Sequence, residues 1–208
     1  MKSLKMARYL FCVPVVASVL LLGLLYHRAS AAPAPQSSGE IRDRSIRAFR
    51  AVFSVVTSPR CVNCHVSNDG PLQGEDSHPH AMNVKRGPDG RGTAAMRCAA
   101  CHQSENASFL HGPPGATDWR IPPPQTPLAW KGMSVSALCK ALTDPSKNGR
   151  NHSVQDLIPY EEASPLVHWA FNPGPGRTVP PLSYDEFVAK LKEWVDTGAA
   201  CPESGSPQ

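Results

Sequence analysis

The chain has 208 residues, 41% of them hydrophobic and 18% charged, which suits a single globular domain with a modest core. Its formal net charge is +4, but four of the basic residues stand in residues 1–31, where no acidic residue occurs. Without that segment seventeen basic residues balance seventeen acidic ones. The charge therefore gives no support for a nucleic-acid partner, and we expect none.

Residues 1–31 predict a secretory signal peptide. Basic residues precede an apolar run over 10–26, and Ala29-Ser30-Ala31 is typical of a cleavage site. We therefore expect a periplasmic protein. The alternative is an uncleaved leader that anchors the domain on the periplasmic side of a membrane, and membrane association is expected only in that case. Pro14 within the run favours the signal peptide.

Residues 32–42 are small, polar and rich in proline, which predicts a flexible linker before a domain over 43–202 and a tail over 203–208. Apolar residues at three- and four-residue steps predict an amphipathic helix over 41–56. Its opposite face carries a stripe of arginines, which predicts a solvated face or, alternatively, a docking surface for an acidic redox partner: Arg44, Arg47 and Arg50.

Two stretches share the pattern Cys-x-x-Cys-His, 61–65 and 98–102. Thiols three positions apart can each form a thioether with one haem, and the histidine after them reaches the iron from the same side. The pattern predicts covalent haem attachment at Cys61, Cys64, Cys98 and Cys101, with His65 and His102 as proximal iron ligands. A structural zinc or a redox dithiol is the alternative, but neither requires a histidine after each pair.

The segments around the second motif are rich in glycine and proline. Residues 66–97 predict a loop with tight turns, and the second motif is expected on a helix over 93–103. Residues 111–132 contain six prolines, which exclude regular structure. We expect Trp119 and Trp130, within that stretch, to pack against haem faces.

Four further helices follow from capping signals. They are predicted over 134–142, 154–158 and 166–171, with a terminal helix that begins after Ser183 and ends at Gly198. The terminal helix is expected to pack on the first one. No segment alternates with period two, so the fold class is all-α and loop-rich, with cytochrome c-like helices around two haems.

Cys139 and Cys201 lie outside both motifs and outside the leader. In an oxidising compartment we expect them to form a disulfide that ties the C-terminal segment to the middle of the domain. Two free buried thiols, or a thiolate on iron, are the alternatives.

The ligand opposite each proximal histidine must come from another side chain, and His/Met coordination gives a higher potential than two histidines. For the first motif we favour His80, with Met82 in reserve, because the intervening chain is long enough to cross a haem. For the second motif His111 and Met133 are weighted evenly, and His168 is a third option.

Several stretches between 61 and 202 resemble a family of exported bacterial dihaem c-type cytochromes, some of which carry the name isoquinoline 1-oxidoreductase subunit. The stretches are Cys-Val-Asn-Cys-His at 61–65, Pro-Leu-Gln-Gly at 71–74, Arg-Gly-Pro-Asp-Gly-Arg-Gly at 86–92, Pro-Pro-Gly at 113–115, Leu-Cys at 138–139 and Gly-Ala-Ala-Cys-Pro at 198–202. The resemblance implies two haem c groups and a role as electron acceptor for a dehydrogenase. It implies no substrate pocket, because the chain lacks the cysteine pattern of iron–sulfur clusters.

The sequence therefore predicts an electron carrier with two haem c irons, and not an enzyme, although it could be a subunit of an oxidoreductase system. Its partners would be redox proteins, either a dehydrogenase or a terminal acceptor. The alternative is a small peroxidase-like or gas-sensing protein in which one haem iron has an open position.

Overall fold

The structure is a computed structural model that describes residues 36–149 and 152–205. The predicted signal peptide and residues 32–35 of the predicted linker lie outside the described residues. The described residues from Ser38 onward belong to one compact unit. Within the described ranges, no helix has both the length and the apolar character that crossing a membrane requires.

The described part of the chain is largely helical, as the sequence predicts. Its α-helices are α1 Ser38–Val56, α2 Pro59–Val62, α3 Val135–Thr143, α4 Leu157–Ala163, α5 Pro165–Phe171 and α6 Tyr184–Asp196. Single 3-10 turns span Ala81–Asn83, Cys98–Ala100 and Val154–Asp156. Two antiparallel hairpins pair β1 (Leu72–Gln73) with β2 (His78–Pro79) and β3 (Gly92–Thr93) with β4 (Met96–Arg97).

The core forms where α1 packs on α6, which confirms the contact predicted between the first and last helices. Phe49 and Trp194 are fully buried, with ring centroids 4.7 Å apart. The buried Ser45 hydroxyl donates to the Trp194 carbonyl at 3.2 Å and accepts from the Ala200 amide at 2.9 Å. These bonds fix the register of the two helices, because a buried hydroxyl without partners would be costly.

The capping signals place the later helices correctly. Ser183 and Glu186 form a complete capping box at the start of α6, and Ser153 and Asp156 form another before α4. The Ser134 hydroxyl accepts from the Ala137 amide at the start of α3. Each of these side chains satisfies backbone groups that the first helical turn leaves without partners.

Two predictions about element boundaries are wrong. Helix α1 begins at Ser38, so Ser38–Arg42 are helical and not linker; Glu40 in the first turn suits the positive end of the helix dipole. The helix predicted over 93–103 is instead the β3–β4 hairpin followed by one 3-10 turn. Gly92 has a φ of +86°, and a Cβ there would collide with the Met96 carbonyl, so glycine permits the close approach of β3 and β4.

The long segment over 111–132 contains neither helix nor strand, as its prolines predict. It extends along both Cys-x-x-Cys-His motifs and contacts each of them through a backbone carbonyl and a tryptophan ring, as described below. Its conformation is therefore held by tertiary contacts and not by a backbone ladder.

Cys139 on α3 and Cys201 after α6 form a disulfide across a sequence separation of 62 residues, the pairing expected from the sequence. Replacing both with alanine is expected to lower the free energy of unfolding by about 2–4 kcal/mol, because the bond restricts the unfolded chain. Denaturant unfolding of the two proteins measures this difference. Superimposable unfolding curves would contradict it.

Candidate haem sites

Each Cys-x-x-Cys-His motif lies in the wall of its own cavity. The first cavity, of about 490 Å³, is lined by Cys61, Cys64 and His65. The second, of about 520 Å³, is lined by Cys98, Cys101 and His102. Both volumes fall within the range of about 300–1,000 Å³ that is typical of cofactor pockets.

The two motifs adopt the same local turn. In the first, the amides of Cys64 and His65 both donate to the Cys61 carbonyl at 3.1 Å. In the second, the amides of Cys101 and His102 donate to the Cys98 carbonyl at 3.2 and 2.9 Å. This tight turn places both thiols and the histidine of each motif along one cavity wall.

The His65 ring is held in one orientation by the proline-rich segment. Its Nδ1 lies 3.0 Å from the Leu128 carbonyl, and Trp130 stacks on the ring with a centroid separation of 3.5 Å and an interplanar angle of 2°. Because a carbonyl only accepts hydrogen bonds, Nδ1 carries the proton and the Nε2 lone pair remains available for a metal. The Trp130 amide also donates to the His65 carbonyl at 3.0 Å.

His102 repeats this arrangement with different partners. Its Nδ1 donates to the Pro114 carbonyl at 2.8 Å, and Trp119 stacks on its ring at 4.4 Å with an interplanar angle of 2°. The Asn106 side-chain oxygen supports this loop by accepting from the Gly115 amide and from Trp169 Nε1, each at 3.0 Å. Nothing in the sequence marks Asn106 for this role, since its partners lie far from it along the chain.

The electrostatics of both sites favour uncharged groups. Burial lowers the pKa of His65 to about 4 and also lowers that of His102. Burial raises the pKa of Cys61 to about 12 and that of Cys64 to about 11. Neutral imidazole is the form that binds a metal ion. A buried thiol that stays protonated is poorly reactive, because the thiolate is the nucleophilic form.

Two findings bear on the zinc and dithiol alternatives. Among the residues at 36–149 and 152–205, no group of three or more His, Cys, Asp or Glu side chains is arranged to hold a metal ion. The strands of this part of the chain occur only in two short hairpins, which are not the βαβ unit of a thioredoxin-like dithiol.

The structure places His80 opposite His102 and not opposite His65. Their ring centroids are 6.1 Å apart, and His80 lines the second cavity. Two imidazoles that share one metal have centroids roughly 6 Å apart, since each metal–nitrogen bond is about 2 Å long. The His80 Nδ1 already bonds the Ala81 carbonyl at 2.8 Å, so its Nε2 is the nitrogen left for a metal.

His80 therefore lies at the second cavity, and not at the first as the sequence predicts. The physical reason is the β1–β2 hairpin, which is held to the first motif by bonds from the Leu72 amide to the Asn63 carbonyl at 2.8 Å and from Asn63 Nδ2 to the Gly74 carbonyl at 2.9 Å. From this anchor the hairpin continues across the second cavity, and His80 follows β2 directly.

The remaining candidates for a distal ligand differ in position. His111 and Met82 both line the second cavity, although Met82 is 72% exposed. Met133 packs against the hydrophobic core and lines neither cavity. His168 also lines neither cavity, and its Nε2 donates to the Glu162 carbonyl at 2.8 Å.

Arg60, which directly precedes the first motif, is a functional candidate that the sequence analysis missed. It is 6% exposed and lines both cavities. One terminal nitrogen binds Glu75 at 2.7 Å, while its buried Nε has no hydrogen-bond partner among the described residues. A buried N–H group of a cation that has no partner and lies beside both cavities suits an anionic group such as a haem propionate. These residues therefore fit the predicted cofactor.

Arg86 holds the segment between the motifs together. It is 3% exposed, and its guanidinium donates to the carbonyls of Val66 at 2.7 Å, of Asn68 at 2.8 Å and of Pro122. The sequence predicts only a turn here. We call these three hydrogen bonds the Arg86 clamp, which depends on carbonyls that only the fold brings together.

Replacing Arg86 with methionine is expected to lower the free energy of unfolding by roughly 3 kcal/mol, because three carbonyls lose a charged donor. Arg86→Lys keeps the charge but not the planar fork, and we expect it to recover only part of the loss. Chemical denaturation of the three proteins measures both effects. A methionine variant as stable as the parent would show that the clamp is unimportant.

Comparison of the chain with protein-family models, with curated proteins and with solved structures finds no match.

Proposed function

We propose that this protein is an exported dihaem c-type cytochrome that carries electrons. The observation that supports the proposal best is the repeated arrangement at 61–65 and 98–102. Each motif has two thiols and an imidazole on one cavity wall, the imidazole fixed through Nδ1 by a backbone carbonyl and by a stacked tryptophan. A structural dithiol would require neither feature.

In this proposal Cys61 and Cys64 hold one haem and Cys98 and Cys101 hold the other, with His65 and His102 as proximal ligands. Bound haem would supply an iron that changes between ferric and ferrous states. The carbonyls of Leu128 and Pro114 orient the two imidazoles and increase their basicity as ligands. His80 would complete a bis-histidine pair with His102.

Residues shared by the two cavities support transfer between the haems. Cys64, Trp119, Ile121 and Trp169 line both cavities. Trp119 stacks on His102 and meets Trp169 edge-on, with ring centroids 4.8 Å apart. A shared wall of packed rings keeps the two sites close.

The proposed partners are redox proteins, either a dehydrogenase that donates electrons or a terminal acceptor. The proposed location is the periplasm, reached through the signal peptide over 1–31, with membrane association only if that leader is retained. Since the protein groups position and tune the haems, no substrate chemistry is assigned to the chain itself.

A redox titration of the exported protein tests the proposal. Produced in a host that attaches haem c, the protein is expected to contain two haems per chain, both reduced and reoxidised reversibly in the visible spectrum. The matched control is His152→Ala, an exposed histidine outside both cavities, which should leave the titration unchanged. A colourless exported protein would rule out the proposed function.

A further inference from the structure

The two cavities differ in the ligands that they offer. Besides the proximal His102, the second cavity is lined by three histidines and two methionines: His78, His80, His111, Met82 and Met96. Among the described residues that line the first cavity, His65 is the one histidine, and there is no methionine. Among the described residues that line the two cavities, the histidines and methionines are thus concentrated at the second cavity.

Of the second set, His80 is the residue placed to bind iron. His78 has both ring nitrogens engaged, Nδ1 with Asp76 at 2.6 Å and Nε2 with Gln73 at 3.1 Å. His111, by contrast, has no ring contact with His102 in the described structure. His80 has such a contact, at a centroid separation of 6.1 Å.

The remainder of the first cavity wall is mainly apolar. Helices α1, α4 and α6 contribute aliphatic and aromatic side chains to it, including Val52, Leu157, Phe187 and Leu191. The side chains of these helices that could coordinate iron here are oxygen ligands, the phenol of Tyr160 and the carboxylate of Glu161. Both already have partners. Oxygen groups bind ferrous haem weakly compared with imidazole or thioether.

We infer that the described residues leave one axial position open at the first haem site, and that small diatomic ligands such as carbon monoxide bind there. The inference rests on the proposed function, because it concerns haem held by Cys61 and Cys64. In contrast, His80 closes the second site to such ligands. The protein would therefore combine one electron-transfer haem with one ligand-binding haem, joined by the wall that contains Trp119 and Trp169.

Titration of the reduced, exported protein with carbon monoxide tests this inference. The expected result is one carbon monoxide bound per two haems. No binding to a protein that contains two haems would overturn the inference while leaving the proposed function intact. Two molecules bound per chain would overturn the assignment of His80. Absence of covalent haem would instead refute the proposed function itself.

The ferric spectrum provides a second, independent readout. With an open position, or one filled by water, the first haem is expected to show a high-spin signal that Tyr160→Phe leaves in place. If Tyr160→Phe instead removed a phenolate charge-transfer band, Tyr160 would be the sixth ligand, and the open position would be refuted for the ferric state.

Discussion

Replacing His80 with alanine is expected to double the carbon monoxide capacity of the reduced protein, from one to two molecules per chain. The His80 ring lies 6.1 Å from that of His102, and its free nitrogen is the one suited to iron. Alanine cannot coordinate, so the variant lacks the imidazole that lies beside His102 in the parent protein. We also expect the ferric spectrum of this haem to change from low spin to high spin.

Two matched variants separate ligation from a general disturbance of the hairpin. His78→Ala alters the same hairpin and removes a ring whose nitrogens both already have hydrogen-bond partners. This variant should still bind one carbon monoxide per chain. His111→Ala removes one of the two ligands that the sequence weights evenly for this haem, and the carbon monoxide capacity of this variant should also remain one. If His111→Ala doubled the capacity and His80→Ala did not, the assignment of the distal ligand would be reversed.

Removing the thiols of one motif at a time is expected to give two different single-haem proteins. Cys61→Ala with Cys64→Ala should remove the ligand-binding haem, leaving one haem that does not bind carbon monoxide. Cys98→Ala with Cys101→Ala should remove the bis-histidine haem, leaving one haem that binds one molecule. The difference follows from the unequal lining of the two cavities.

Haem content from the visible spectrum and mass, followed by a carbon monoxide titration of each variant, measures this contrast. Cys139→Ala with Cys201→Ala serves as the control for loss of two cysteines, since neither residue lines a cavity, and it should retain both haems and a capacity of one. The inverse pattern, with carbon monoxide bound only when 98–102 is intact, would contradict the account.

Much of the local structure could be predicted from the sequence, because its signals act over a few residues. The capping box at Ser183 and Glu186 marks the start of α6, and prolines exclude regular structure from 111–132. In each case the residues that cause the feature are neighbours in the chain.

The distal side of the sites could not be predicted in the same way. Whether His80 faces one motif or the other depends on how the β1–β2 hairpin is anchored at Asn63, which is a tertiary contact. The same applies to Arg60 and Arg86. Their buried guanidinium groups bind a carboxylate and carbonyls from distant segments, and these partners are known only from the fold. Sequence spacing shows that such a loop can reach a haem but not which one.

The most direct test of the central claim is the mass of the exported protein measured under denaturing conditions, after production with haem attachment machinery. The account predicts the mature chain plus two covalently bound haems, falling to one haem in each paired cysteine variant at 61–65 or 98–102. A chain whose mass includes no haem, although it has been exported and folded with its Cys139–Cys201 disulfide, would contradict it.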